Sequence, residues 1–181
     1  MSVFVPFDEK VEVYSDAIFA MIKAFPVGEE KRHEILKNNG LDLKENTWYS
    51  QQKFLSSLKD LSEETGSEFL EKVGETIPEY AVFPDSIVDL ENALKSLDTA
   101  YKMNHRNGEI GYYKVTSFDA IHKKAEMVCK NPYPSEFDLG LIKTLVYKFL
   151  PKNSFFYNVQ LDKSKETRQN GADSCTYIIT W

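Results

Sequence analysis

Long apolar runs are missing from this sequence. No window approaches the roughly 18 apolar residues that a membrane-spanning helix needs. Asp, Glu or Lys interrupts each helical candidate every few residues. Residues 1–7 carry no basic stretch followed by an apolar one, so no secretory leader is read there. Cysteine is scarce. Cys129 and Cys175 are too few for a disulfide scaffold in 181 residues, and reduced thiols in a cytoplasmic protein are expected. A positive surplus is absent too. The net charge is −6, and an acidic chain repels the phosphate backbone, so nucleic acid is not an expected partner. The densest basic run, Lys143, Lys148 and Lys152, is sparse. Finally, the G-x-S-x-G elbow, the phosphate-binding loop, the dinucleotide fingerprint and H-E-x-x-H are all missing. These absences point away from membranes, nucleic acids and the common enzymes, toward a protein that binds rather than catalyses.

Aromatic residues, by contrast, are plentiful. Twelve Phe and ten Tyr suggest a bulky core, an aromatic-lined pocket, or both. Apolar residues at 42% and charged residues at 28% are ordinary globular usage. The length suits one domain over residues 1–181.

The first hundred residues read as helical. Val13, Ala17, Ile18, Ala20, Met21 and Ala24 recur at helical spacing, and Phe25-Pro26 is expected to stop that helix. Glu29 to Asn38 forms a polar helix closed by Asn39-Gly40. Asn46 to Ser50 reads as a turn carrying Trp48 and Tyr49. Gln51 to Thr65 and Ser67 to Pro78 follow as helices. Ser86, with Asp89 three residues on, opens the longest helix, which runs to about Asn104. After Asn107-Gly108 the period changes to two. Ile110 to Ser117, Lys124 to Lys130, Ser154 to Leu161 and Ser174 to Trp181 read as strands, with one helix, Ser135 to Phe149, inserted. The expectation is an α+β fold: N-terminal helices packed on an antiparallel sheet of about four strands with one inserted helix.

Candidate chemistry is thin. His33 and His122 sit among charged residues and read as exposed. His105 lies at a helix C-terminus before a Gly-containing turn. There it either caps orphan carbonyls or contacts a ligand between helices and sheet. Cys129 and Cys175 are weak metal candidates, since one pair supplies half of a structural zinc site. Asp85, Asp89, Glu91, Glu136 and Asp138 open helices, where the dipole accounts for them.

Several segments carry a resemblance. They are Asn46-Thr47-Trp48-Tyr49-Ser50-Gln51-Gln52, Ile77 to Pro84, Tyr101 to Arg106 with Gly108 to Gly111, Cys129 to Pro134, and Asn170 to Tyr177. Together they resemble the 4-vinyl reductase-type ligand-binding domain over roughly residues 45–181, which implies N-terminal helices over 1–45 and a ligand-binding core over 46–181. The resemblance implies an α+β fold akin to the small subunits of vesicle-tethering complexes. It also implies a sensory module of a heme NO-binding-associated-like kind, with a pocket between helices and sheet. Relatives of that domain serve phenol-sensing regulators and bacteriochlorophyll synthesis, and some carry zinc near the C-terminal cysteines. Where that zinc pattern places another Cys, eight residues before Cys175, this chain has Thr167.

The reading is a stand-alone sensory or carrier domain for a small apolar, aromatic or tetrapyrrole-like ligand. Trp48, Tyr49, His105, Tyr112 and Tyr133 are its candidate ligand-binding residues, being amphipathic and at motif positions. A separate signalling protein is the expected partner, a homodimer the expected assembly, and no resident cofactor is required, with zinc or a tetrapyrrole as the candidates. The alternatives are an interaction scaffold without a ligand, or an enzyme acting on a tetrapyrrole vinyl group.

Overall fold

The computed structural model describes residues 3–23, 28–81 and 83–181. The elements are β1 (Glu12–Tyr14), α1 (Ser15–Lys23), α2 (Glu29–Asn38), β2 (Trp48–Ser50), α3 (Gln51–Thr65), α4 (Glu68–Tyr80) and α5 (Leu90–Met103). They continue with β3 (His105–Arg106), β4 (Tyr112–Asp119), β5 (Lys124–Lys130), α6 (Ser135–Lys148), β6 (Asn158–Leu161), a 3₁₀ turn (Arg168–Asn170) and β7 (Ser174–Thr180). The main sheet is antiparallel, four-stranded, in the order β4-β5-β7-β6, with α6 inserted between β5 and β6. This is the α+β arrangement that the periodicities predict. Among the described residues no helix is long and apolar enough to cross a membrane.

Alternation decides which sheet face is covered. In β5, Ala125, Met127 and Cys129 are buried while Lys124, Glu126, Val128 and Lys130 are not. Their partners on β7, Ile179, Tyr177 and Cys175, are buried on the same face. Period two places these side chains together, and the helices pack over them. Leu141, Ile142, Leu145 and Val146 of α6 join Leu90, Leu94 and Leu97 of α5 in one continuous core.

The closest helix crossing is α4 on α6. A Cβ added at Gly74 would sit 2.0 Å from the Phe137 carbonyl oxygen, and one at Gly140 would sit 1.9 Å from that of Glu71. Glycine at both positions lets the two backbones touch. Lys143 then reaches Glu71 at 2.6 Å, and Lys148 donates to the Pro78 carbonyl at 2.6 Å.

Four local readings are corrected. Val13 belongs to a strand, and α1 begins only at Ser15. Trp48 and Tyr49 lie in β2, which joins β1 and β3 in a small antiparallel sheet, β2-β1-β3. The helix read from Ser86 starts at Leu90, because Asp89 is the N-cap: its Oδ1 accepts the Asn92 amide at 2.8 Å. It is also shorter than α3, which spans 15 residues. Pro78 lies inside α4 instead of ending it, near enough the C-terminus that little of the helical ladder is lost. The stop expected at Phe25-Pro26 lies outside the described residues.

Candidate functional site

A cavity of about 750 Å³ opens among the helices, above the β3–β4 end of the chain. Its inner wall is apolar: Phe54 of α3, Ile77 of α4, Leu97 and Tyr101 of α5, Phe137 and Leu141 of α6. Charged and amide groups (Asp16, Lys23, Glu45, Asn46 and Asn104) border the outer part. The volume falls within the range of small-molecule and cofactor pockets, roughly 300–1,000 Å³.

His105 is in the wall. The α5 helix ends at Met103, with Asn104 as its C-cap, and the chain turns so that His105 enters β3 opposite Val13. The imidazole folds back over the last turn, with Nδ1 2.9 Å from the Tyr101 carbonyl oxygen. A carbonyl only accepts, so Nδ1 carries a hydrogen. The ring is 7% exposed, and burial lowers its pKa to about 4, against a smaller opposing effect of the Tyr101 hydrogen bond. At neutral pH the ring is therefore uncharged and Nε2 bears a lone pair. The Tyr133 hydroxyl donates to it at 2.7 Å.

That hydroxyl is well placed. Tyr133 is 2% exposed and its ring lies between Phe137, stacked at 4.8 Å, and Phe54, edge-on at 6.0 Å. Burial raises its pKa, so it remains a donor. Gln51 Nε2 donates to the same hydroxyl oxygen at 3.4 Å, and Gln51 Oε1 has no partner although the residue is fully buried. Tyr101 packs on the imidazole with ring centroids 4.1 Å apart and donates its hydroxyl to the Ile110 carbonyl, fixing α5 to the start of the main sheet.

Behind Tyr133 lies a buried polar network. Its amide donates to Asn131 Oδ1 at 2.9 Å. Asn131 Nδ2 donates to both Asp138 carboxylate oxygens at 3.2 Å, and the Tyr113 hydroxyl to Asp138 Oδ1 at 2.7 Å. Arg168 closes the network, paired with Asp138 and donating to the Cys129 carbonyl at 3.0 Å. Cys129 and Cys175 are opposite one another on β5 and β7, both buried, and Cys175 Sγ accepts the Arg168 amide at 3.4 Å. Burial raises both thiol pKa values.

Two of the five residues singled out from sequence, His105 and Tyr133, come together in the cavity wall. The other three stand elsewhere. Trp48 is half-buried on β2 between the Tyr14 ring, at 5.1 Å, and the Arg106 guanidinium, at 4.2 Å. The Tyr49 hydroxyl donates to the Asp42 carbonyl and accepts the Lys44 amide, both at 2.7 Å, clasping a loop. Tyr112 is 37% exposed at the start of β4. Sequence reasoning passed over Tyr101, although its position four residues before His105 puts it one helical turn away. It also passed over Gln51, and over the Asp138–Arg168 pair, whose members are 30 residues apart.

No protein-family model matches the chain, and no curated protein is similar to it in sequence. Solved structures do match. An H-NOX protein variant from K. algicida in the Fe(II) unliganded state superposes with a TM-score of 0.66 at 20% identity, over 92% of this chain and 95% of the other. An H-NOX protein from S. oneidensis in the Fe(II)NO state gives 0.66 at 13% identity, over 92% and 97%. A structure probing heme distortion in the H-NOX family gives 0.65 at 21% identity, over 92% and 94%. The chain thus has the fold of H-NOX proteins along nearly its whole length.

Proposed function

We propose that this chain is a sensory domain whose cavity holds an iron tetrapyrrole of the heme type, with His105 as the residue that ligates the iron. The observation that carries the reading is the state of His105. A metal-ligating histidine is neutral, and its second nitrogen is usually held by a carbonyl or carboxylate that fixes the tautomer. His105 meets both conditions, with Nδ1–H on the Tyr101 carbonyl and the Nε2 lone pair in the cavity wall. The donor Tyr133 covers that lone pair, so its hydroxyl would have to turn aside for Nε2 to hold iron. The orphaned Gln51 Oε1 is an acceptor next to it: a flip of the buried amide would let Gln51 accept the redirected Tyr133 hydroxyl. The shape of the fold supports the reading, since structures of this fold include H-NOX proteins described with heme and in an Fe(II)NO state.

The fit has a character of its own. The apolar walls match a flat macrocycle, but the outer border carries Asp16 and Glu45 beside Lys23. Carboxylates on the macrocycle gain little there, so affinity rests on apolar burial and on the His105–iron bond. When bound, the group supplies an iron centre able to take a diatomic ligand. The motif resemblance to 4-vinyl reductase-type domains points to the same class of module, a small-molecule sensor that works through a separate protein.

The test is reconstitution with hemin, followed by its absorbance. Wild type is expected to take one equivalent, nearly independently of salt. His105→Gly is expected to weaken binding more than about tenfold, or 1.4 kcal/mol, with added imidazole restoring the spectrum. Uptake unchanged in His105→Gly, with a wild-type melting temperature, would remove His105 from the role.

A further inference from the structure

The segment leading into β6 presents an unusual surface. Phe155 and Phe156 are 85% and 86% exposed, and Tyr157 is 38% exposed. Tyr147, on the last turn of α6, is 69% exposed with its ring 6.4 Å from that of Tyr157. Isolated exposed aromatics are ordinary, but a contiguous group signals a surface that something covers. The segment is anchored at its base: Lys123 Nζ donates to the Asn153 carbonyl at 2.8 Å and to Ser154 Oγ at 3.2 Å.

Two further properties of this surface identify what covers it. First, β6 is an edge strand, pairing only with β7 among the described residues, so one side of its backbone lacks a ladder. Second, the surroundings are positive on a chain whose net charge is −6. From Leu139 to Leu161 the sequence has Lys143, Lys148 and Lys152 and no Asp or Glu. Lys124 and Glu126 both stand farther in, opposite Thr180 and Ile178, which are themselves opposite Asn158 and Gln160. That is two strand spacings, about 10 Å. Lys143 is neutralised by Glu71 and Lys124 is compensated by Asp162, but Lys152 makes no salt bridge among the described residues.

We propose that the β6 edge, with Phe155, Phe156 and Tyr147, is a docking site for an acidic, extended protein segment bearing apolar side chains, which adds to the main sheet as a fifth strand. Main-chain hydrogen bonds to β6 supply affinity, the aromatic rings receive its apolar residues, and Lys152 selects its acids. A second copy of this chain at the same edge is the alternative that sedimentation reads. A bilayer is the wrong occupant, since it cannot satisfy the open backbone groups of a sheet edge. The proposal is independent of what the cavity holds, and the ligand-free protein serves for its test.

The test is an amide NMR titration with a capped peptide of alternating Glu and Val, about eight residues long to span Ser154 to Leu161 at ~3.3 Å per residue. Shifts are expected to concentrate on the amides of Phe155 to Leu161. The Phe155→Ser/Phe156→Ser double variant is expected to weaken binding at least tenfold, and Lys152→Glu at least threefold, each with unchanged melting temperature. The matching Lys and Val peptide is expected not to bind. The proposal fails if the acidic peptide leaves β6 unperturbed, or binds the variants as tightly as wild type. It also fails if the Phe pair is needed instead for dimerisation in sedimentation, or for pelleting with phosphatidylserine vesicles.

Discussion

The protonation state of His105 can be tested without any ligand. In the folded chain its pKa is lowered from the usual 6.5 to about 4, chiefly because burial disfavours the cation. When the chain unfolds, the ring regains an ordinary affinity for protons. Between pH 6.5 and 4 the unfolded state therefore binds more protons than the folded one, and stability falls as pH falls. Above pH 6.5 neither state binds the proton and the effect vanishes. Each pKa unit is worth 1.36 kcal/mol, so the full loss is about 3 kcal/mol by pH 4. Going from pH 7.5 to pH 5, the loss is about 2 kcal/mol.

The perturbation is His105→Gln, which removes the titration while keeping a polar group. Urea denaturation at pH 7.5 and pH 5 measures it. With a slope of about 2 kcal/mol per molar urea, the wild-type midpoint is expected to drop by about 1 M more than that of the variant. Comparing each protein with itself cancels the variant's intrinsic destabilisation, and shared carboxylates cancel between the two. Equal drops would refute a buried neutral imidazole. The same depression bears on metal binding, because proton and iron compete for Nε2. Hemin uptake through His105 is expected to persist to about pH 5, whereas a histidine of ordinary pKa is half protonated near pH 6.5.

Other outcomes follow from the geometry. Tyr133→Phe removes the only donor seen on His105 Nε2 among the described residues. It is expected to cost about 1–3 kcal/mol in ligand-free stability while strengthening hemin binding, since no hydroxyl then has to be displaced. Urea midpoints and hemin titration give the two signs. Asp138→Asn leaves buried Arg168 without its counter-charge and is expected to cost about 3–5 kcal/mol, read by denaturation at pH 7. Gly74→Ala and Gly140→Ala each push a methyl into a facing carbonyl and are expected to lower the melting temperature, with a cost of about 1–3 kcal/mol or more.

The fold was legible where periodicity had room to speak. Lys124 to Lys130 alternates over seven residues and is β5 end to end. Ser135 to Phe149 repeats apolar residues over four turns, and α6 ends one residue earlier, at Lys148. The β2-β1-β3 sheet was illegible because its strands have two or three residues, too few for a period to show. Their conformation is set by tertiary pairing, as in Val13 opposite both Tyr49 and His105. The site was half legible. His105 stood out because a helix end followed by a glycine turn puts a side chain at a junction. Trp48 and Tyr49 have the same amphipathic chemistry but partners outside the cavity, and Tyr112 is exposed at the start of β4. Asp138 read as a helix-dipole acid, and composition cannot tell a solvated carboxylate from one buried against Arg168.

The buried pair gives the cavity its connection to the sheet. Asp138 accepts from Tyr113, Asn131 and Arg168, and each of these reports on a different element. Tyr113 is on β4 and lines the cavity, Arg168 belongs to the 3₁₀ turn before β7, and Asn131 holds the amide of Tyr133. A hydrogen-bonded chain thus runs from His105 Nε2 through Tyr133 and Asn131 to the carboxylate that anchors the start of α6. Such a network is rigid while every member is satisfied, and partial satisfaction is costly in a low-dielectric interior. Two atoms depart from that rule, Gln51 Oε1 and Arg168 Nε, one at each end of the chain. Under the proposed ligation, occupation of His105 Nε2 would free the Tyr133 hydroxyl, and Gln51 Oε1 would be an acceptor beside it. The arrangement at the Asp138 end is fixed by its ion pair. The polar atoms that can rearrange are therefore those touching the cavity, and the sheet behind them serves as the frame against which they move.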